Sequence, residues 1–475
     1  MKTIVLFFAS IFSAITLQSQ TKELSLRQCV ETAIANNLKV KNSELQAKSA
    51  GLNYDQAKYN RLPQLSGGFG YGVNTGRSID PFTNGYINQQ LNSSGANLQL
   101  QIPVFNGFKV QSSIKQNEWS NRAAAMDWQQ EKDNLTLQVI MNYLLVLSNK
   151  DLLELARKQA LITQGQVDRL MKLSKEGAIA PSELTDMQGQ LAADEMGVMN
   201  AEVNLETAKM TLAQLMNVPY SKELELAGEA GAELKPMEDR GVEKLYQTAL
   251  ENLAMVKANG YRATSAGYGV QVAKADRYPL VSLFGQLQTN YSSAAMRSSL
   301  LNSTQGPSGD YVVVNNNQLP VITTINNFNS SKITYGDQFR NNISKYAGLN
   351  VSIPVFSAFQ TRTRVRLARV QEQVVKVQGA EALRQLRQSI EQAHLNWSNS
   401  YERYKLLAKQ VAAFEESFRA AEIRFNEGAI NSVQYLLVKN NLDRSRANYV
   451  MAGYEYRLRG RVLDFYMGVQ VVGDN

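Results

Sequence analysis

Apolar and polar positions alternate with period two in three stretches of the chain. In the first, Leu65, Gly67, Phe69, Tyr71 and Val73 fall on one face, and Gln64, Ser66, Gly68, Gly70 and Asn74 on the other. In the second, Leu98, Leu100, Ile102 and Val104 alternate with Asn97, Gln99 and Gln101. In the third, Ala347, Leu349, Val351, Ile353 and Val355 alternate with Tyr346, Gly348, Asn350 and Ser352. Such alternation predicts β-strands with one apolar face. Between these stretches lie long proline-free segments rich in Ala, Leu, Gln, Glu, Lys and Arg, good helix formers. They predict helices over about 107–175 and 358–426. At 1.5 Å per residue, ~70 residues make a rod of roughly 105 Å. Their apolar positions are sparse and often Ala, which suits coiled-coil or helical-barrel packing better than a thick core.

The elements recur. Shifted by 216 residues, 32–63 overlays 248–279 without a gap, and 13 of those 32 positions are identical. Among them are Thr32/Thr248, Asn36/Asn252, Arg61/Arg277 and Pro63/Pro279. A shift of 251 matches Ile102, Pro103, Val104 and Phe105 with Ile353, Pro354, Val355 and Phe356. The same shift matches Glu176, Gly177, Ala178 and Ile179 with Glu427, Gly428, Ala429 and Ile430. The shifts differ by 251 − 216 = 35 residues, all falling between Pro279 and Ile353. The second copy is therefore expected to carry a longer Ser-, Asn- and Gly-rich loop over 291–342. Internal repetition of this kind marks duplicated architecture.

Each copy reads as a short helix (26–37; 242–252), a medium helix (39–61; 255–277) ended by proline, and a strand hairpin. The long helix, a Gly turn and a returning helix follow. The domains expected are a first repeat at 24–218 (hairpin about 64–104, tip 175–182), a linker at 219–241, and a second repeat at 242–472 (hairpin about 280–355, tip 427–432). The N-terminus reads as a secretory signal over 1–20, with Lys2 ahead of an apolar run. Cys29 lies beyond the expected cleavage point without the small-residue context of lipidation, so no lipid anchor is expected.

No later segment offers 18 uncharged apolar residues, so any membrane insertion must use strands. Segments of about 10 residues, apolar on one side and small or polar on the other, are the signature of a membrane barrel. Two hairpins make four strands, which cannot close in lipid because both sheet edges would leave backbone groups unpaired. The chain must oligomerise. A dimer would give eight strands and a trimer twelve, and the strands alone leave both open.

Composition narrows the chemistry. In 475 residues there is one cysteine, Cys29, and one histidine, His394. Disulfides, Cys-based metal sites and histidine acid–base catalysis are poor prospects, and no cofactor is expected. The net charge is +8 with basic residues scattered. The one cluster, Arg362, Arg364, Arg366 and Arg369, reads as a solvated helix face rather than a nucleic-acid surface. No GxxxxGK[ST] phosphate loop occurs. No nucleophile–base constellation suggests a hydrolase.

The repeat, its Ile-Pro-Val-Phe strand-to-helix junctions and its Glu-Gly-Ala-Ile turns resemble the TolC-like outer membrane efflux protein family, over about 24–472. The resemblance implies a mixed α and β membrane protein. It implies a homotrimer whose twelve strands share one β-barrel in the outer membrane and whose helices form a coiled-coil barrel across the periplasm. It implies docking to a periplasmic adaptor linked to an inner-membrane pump of the RND, ABC or a similar class. The function implied is a passive export duct for efflux or type I secretion, and not an enzyme. The competing reading is a periplasmic or surface coiled-coil scaffold or adhesin.

In that family the Gly turns form periplasmic tips, so Gly177, Ala178 and Ile179 with Gly428, Ala429 and Ile430 become candidate adaptor-docking residues. Some members carry an acidic ring six and nine residues beyond the second tip glycine; here those positions are Gln434 and Leu437. Glu183 and Asp186 hold the same offsets from Gly177, and their i, i+3 spacing puts both on one helix face. These four are the candidate pore lining, with Leu437 a possible apolar constriction. Helix-dipole preference for acids in a first turn accounts for Glu183 and Asp186 equally well.

Overall fold

A computed structural model describes residues 23–80, 84–228 and 241–469. The expected signal segment and the middle of the expected linker lie outside the described residues.

The first helix starts where the sequence offers a capping box. Ser25 accepts from the Gln28 backbone N–H, and the Gln28 side chain accepts from the Ser25 backbone N–H, opening α1 (Leu26–Asn36). After α2 (Leu38–Tyr59), Pro63 turns the chain into β1 (Gln64–Asn74). The short strands β2 (Arg77–Ile79) and β3 (Tyr86–Asn88) form a small hairpin before β4 (Leu91–Phe105). Then come α3 (Lys109–Lys175) and α4 (Pro181–Met216). The second half gives α5 (Val242–Asn252), α6 (Ala254–Ala275) and β5 (Leu280–Ser292). It continues with β6 (Met296–Val314), β7 (Asn317–Lys332), α7 (Tyr335–Asn341), β8 (Ser344–Ser352), α8 (Gln360–Asn426) and α9 (Ser432–Tyr466). Both α3 and α8 have 67 residues, about 100 Å at 1.5 Å per residue. No described helix is long and apolar enough to cross a membrane.

Compactness divides the chain differently from the repeats expected from the sequence. Among the described residues, one unit joins 23–51, 119–228, 241–264 and 373–469; the other joins 52–80, 84–118 and 265–372. Each draws on both halves of the sequence.

The first unit is helical. One core sets Cys29, Val30 and Ala33 of α1 against Val139, Tyr143, Leu205 and Leu212. A second sets Leu245 and Ala249 of α5 against Leu386, Ile390, Tyr456 and Leu463. Ala33/Ala249, Val139/Ile390 and Leu212/Leu463 are positions matched by the two sequence shifts. Full burial pushes the Cys29 thiol pKa up to about 12, so it stays a neutral core residue.

The second unit is built on one antiparallel four-stranded sheet, in the order β1-β4-β5-β8. Its register pairs Leu65 with Leu100, Leu98 with Leu287, and Leu283 with Leu349. Directly opposed residues share a face, so these pairs make one continuous apolar surface. Leu65, Phe69, Tyr71, Leu349 and Val351 on it are each at least half exposed. The other face pairs Gln64 with Gln101 and Ser66 with Gln99. On that side Phe284 packs at a tilt against Tyr346, with ring centroids 5.3 Å apart, and covers Gly348, where an added Cβ would lie 3.0 Å from the Phe284 ring.

Two expectations are corrected. The long helices start at Lys109 and Gln360 because Gly107 and Phe108 (φ +63°, +61°) and Ala358 and Phe359 (φ +46°, +59°) are left-handed. Two successive residues at positive φ cannot continue a right-handed helix. At 291–342 the chain is mostly regular rather than a loop. β6 and β7 form a long ribbon turned at Asn315 and Asn316, whose φ values of +49° and +67° suit a two-residue hairpin turn. The helix α7 packs back onto β5, Gln338 donating to the Ser292 and Ile333 carbonyls (both 3.0 Å).

Candidate functional site

The tips of the helical unit are built twice by the same local rule. Gly177 (φ +70°) ends the first long helix, with Ala178 N donating to Leu173 O at 2.9 Å and Gly177 N to Ser174 O at 3.1 Å. Gly428 (φ +72°) repeats it, with Ala429 N donating to Arg424 O at 2.8 Å and Gly428 N to Phe425 O at 3.1 Å. This crossed pair of bonds is the Schellman motif, which requires a residue comfortable at positive φ. The return helices begin differently. Pro181 takes the first turn of α4, whereas Asn431 caps α9 by accepting from Gln434 N at 2.9 Å.

The six candidate docking residues divide. Gly177, Ala178, Gly428 and Ala429 are exposed. Ile179 and Ile430 are half-buried against a cluster of Val167, Leu170, Met187, Phe425 and Tyr435. Arg169 ties the tips together, donating to the Asn426 side chain and carbonyl at 2.7 and 2.6 Å. The tips thus present small exposed residues over an apolar plug.

The candidate pore residues also separate. Asp186 accepts from Ser432 Oγ at 2.8 Å, joining α4 to the first residue of α9. Glu183 is half-buried, and its carboxylate has no hydrogen-bond or ion-pair partner among the described residues. Gln434 is exposed, and Leu437 is 64% exposed, one turn beyond the equally exposed Val433. The α9 stripe carrying Val433 and Leu437 therefore faces away from the protomer's own core.

The sequence reading missed a buried polar cluster beyond the tips. Lys439, with a side chain only 2% exposed, donates to Asp194 at 2.9 Å and Asp443 at 2.7 Å. Asp194 also accepts from Thr163 and from Gln190, the latter at 2.7 Å. Three helices, α3, α4 and α9, meet at these groups. Burial holds the Asp443 carboxyl above its usual range, outweighing the opposing pull of Lys439. Burial likewise raises the Tyr435 hydroxyl, which lacks a hydrogen-bond partner. A signal was available. Tyr435, Lys439, Leu442 and Ser445 are all buried and share one helical stripe, and a lysine on such a stripe with an aspartate at i+4 marks a buried pair.

A model of the outer membrane efflux protein family matches residues 29–218 and again 245–469. Similar solved structures include a membrane protein from Pseudomonas aeruginosa, at 15% identity and TM-score 0.74, covering 94% of this chain and 92% of that one. The outer membrane protein VceC from Vibrio cholerae is 15% identical with TM-score 0.72, covering 93% and 96%. The CmeC outer membrane channel of Campylobacter jejuni is 14% identical with TM-score 0.73, covering 94% and 87%. No sequence among the curated proteins compared matches.

Proposed function

The chain belongs to the outer membrane efflux protein family, as an outer-membrane channel subunit of a tripartite efflux system, and from that premise we propose how its copies build the duct. Three chains join edge to edge, β1 of one beside β8 of the next, and close a twelve-stranded barrel. The observation that carries this is the open-edged sheet β1-β4-β5-β8 with one exposed apolar face. Each open edge in lipid would strand its N–H and C=O groups at several kcal/mol apiece. Pairing the edges removes that cost, and the apolar face then meets lipid.

The duplication supplies the rest of the geometry. Two copies of one unit, 24–218 and 242–472 joined by 219–241, each give one long helix and one return helix. Three chains then provide twelve helical strands around a periplasmic bore. The element bounds support the duplication: α1 and α5, and α2 and α6, are offset by 216, and α3 and α8 by 251. The tips with Gly177, Ala178, Ile179, Gly428, Ala429 and Ile430 dock a periplasmic adaptor. Glu183, Asp186, Gln434 and Leu437 line the inner mouth. Energy comes from an inner-membrane pump of the RND, ABC or a similar class, because the duct is passive and catalyses no reaction. Its cargo is small molecules, or proteins if the partner is a type I secretion pump.

Fractionation tests this reading. Detergent-dependent extraction as a heat-sensitive trimer, with conducting pores in planar bilayers, is expected. Release as a soluble monomer by osmotic shock would favour a periplasmic coiled-coil scaffold instead.

A further inference from the structure

The arginine cluster at the start of α8 is left unused by the duct. Arg362, Arg366 and Arg369 are exposed, and their guanidinium groups have no hydrogen-bond or ion-pair partner among the described residues. Their i, i+4, i+7 spacing sets them on one helical stripe. Arg364 points elsewhere and pairs with Asp276, which also accepts from Lys109 at 2.7 Å. Helix stability does not account for the other three. They occupy the first turns of α8, where acidic residues are favoured and none stands in the first turn.

Their position in the unit is informative. All four sheet strands have one end beside the helices: Gln64 pairs with Gln101, Phe105 with Val281, and Leu280 with Ser352. At this end Phe105 packs edge-on against Phe108, and Phe356 against Phe359, with centroids 5.5 and 5.9 Å apart. Phe108, Phe356 and Phe359 are each more than 60% exposed. Exposed aromatics at the end of an apolar strand band mark a membrane–water boundary. Arg61 and Arg277, exposed and with guanidinium groups likewise unpartnered among the described residues, sit just before Pro63 and Pro279 at the same end. Carboxylates of this region are already paired, Asp55 with Lys58 and Glu118 with Lys115, both at 2.9 Å.

We propose that Arg362, Arg366 and Arg369 bind the phosphates of anionic phospholipid headgroups in the periplasmic leaflet of the outer membrane. Guanidinium forks suit phosphate oxygens, and each basic side chain near an anionic surface contributes about five-fold in affinity. Arg61 and Arg277 extend the basic belt around the barrel rim. The aromatic rings fix the depth, and the arginines select the headgroup. The site rests on the outer-membrane channel reading.

The test uses full-length protein in mixed micelles of equal phosphatidylglycerol and phosphatidylcholine, with co-purified lipid measured by mass spectrometry. Wild type is expected to retain phosphatidylglycerol over phosphatidylcholine by about five-fold or more. The triple variant Arg362→Gln/Arg366→Gln/Arg369→Gln is expected to bring the ratio near one, and the triple Lys variant to keep part of the preference. Arg384→Gln/Arg419→Gln, which removes arginines elsewhere on α8, is expected to leave it unchanged. An unheated gel checks assembly, and single Gln variants replace the triple if it does not assemble. Equal retention of both lipids by wild type, or an unchanged ratio in the triple variant, overturns the proposal. Displacement of phosphatidylglycerol by equimolar inorganic phosphate overturns it too, by making the site one for free phosphate. Wild type that never enters the detergent fraction would contradict the channel reading rather than this one.

Discussion

Replacing Lys439 with methionine removes the one cation in a buried cluster while roughly keeping its volume. Asp194 and Asp443, 11% and 18% exposed, are then left facing each other across a methyl group. Losing one partner of a buried ion pair costs about 3–5 kcal/mol, because the remaining charge is stranded. At 1.4 kcal/mol per factor of ten, that is roughly a hundred- to several-thousand-fold more frequent local opening of α9. The cost depends on pH with a definite sign. Asp443 already has a raised pKa, and losing Lys439 raises it further. An acid with a raised folded pKa loses stability as pH rises from its unfolded value through its folded one. The variant is therefore hurt more at pH 8 than at pH 5. Hydrogen exchange read by mass spectrometry reports this directly. Amides around residues 435–445 should lose protection by at least about a hundred-fold at pH 8, while those around Ile390 in the separate core stay protected. The second change Asp443→Asn should restore part of the loss. Protection within about three-fold of wild type at pH 8 would instead show that the cluster is hydrated or open and that Lys439 holds no buried ion pair.

Gly107→Ala places a Cβ 2.7 Å from the Ala275 carbonyl oxygen at φ +63°. A loss of at least about 1–3 kcal/mol is expected, seen as a lower melting midpoint of the oligomer, while Ala358→Gly at the matched position is neutral or better. At Asp276, burial favours the neutral form, but Lys109 and Arg364 outweigh it and hold the carboxyl below its usual range. Its contribution is present above the ordinary carboxylate pKa of about 4 and fades as pH falls through the depressed value. Asp276→Asn should therefore lower the melting midpoint at pH 7 and converge with wild type in acid; an equal gap at both pH values contradicts this. Glu183→Ala/Asp186→Ala should weaken cation preference or alter conductance in planar bilayers, and unchanged currents would remove both from the lumen.

Much of the fold was legible because its signals are local and repeated. Pro63 and Pro279, Gly177 and Gly428, and the strand alternation each fix a backbone event within a few residues. The ribbon of β6 and β7 was hidden by its Ser and Asn content, which reads as loop. The sign lay in Val312, Val313 and Val314 running into the Asn315–Asn316 turn. The two-residue late starts of α3 and α8 follow from left-handed Phe108, Ala358 and Phe359, a conformation that these side chains do not announce. At the candidate mouth, the matched offsets from Gly177 mark Glu183 and Asp186 but say nothing of their surroundings. Asp186 is engaged by Ser432 from 246 positions along the chain, and no spacing rule reaches that far. Lys439 is not legible in the sequence because a single lysine in a polar helix reads as solvated, whereas its neighbours on the stripe are buried.

In the assembly proposed above, three chains close one barrel through their open sheet edges. Electron cryomicroscopy of the detergent-extracted protein tests it most directly. Threefold symmetry and twelve strands are expected, with β1 of each copy hydrogen-bonded to β8 of the next and the face bearing Leu65 and Leu349 toward detergent. A single chain with both edges free, or an assembly in which β1 and β8 do not meet, would contradict it.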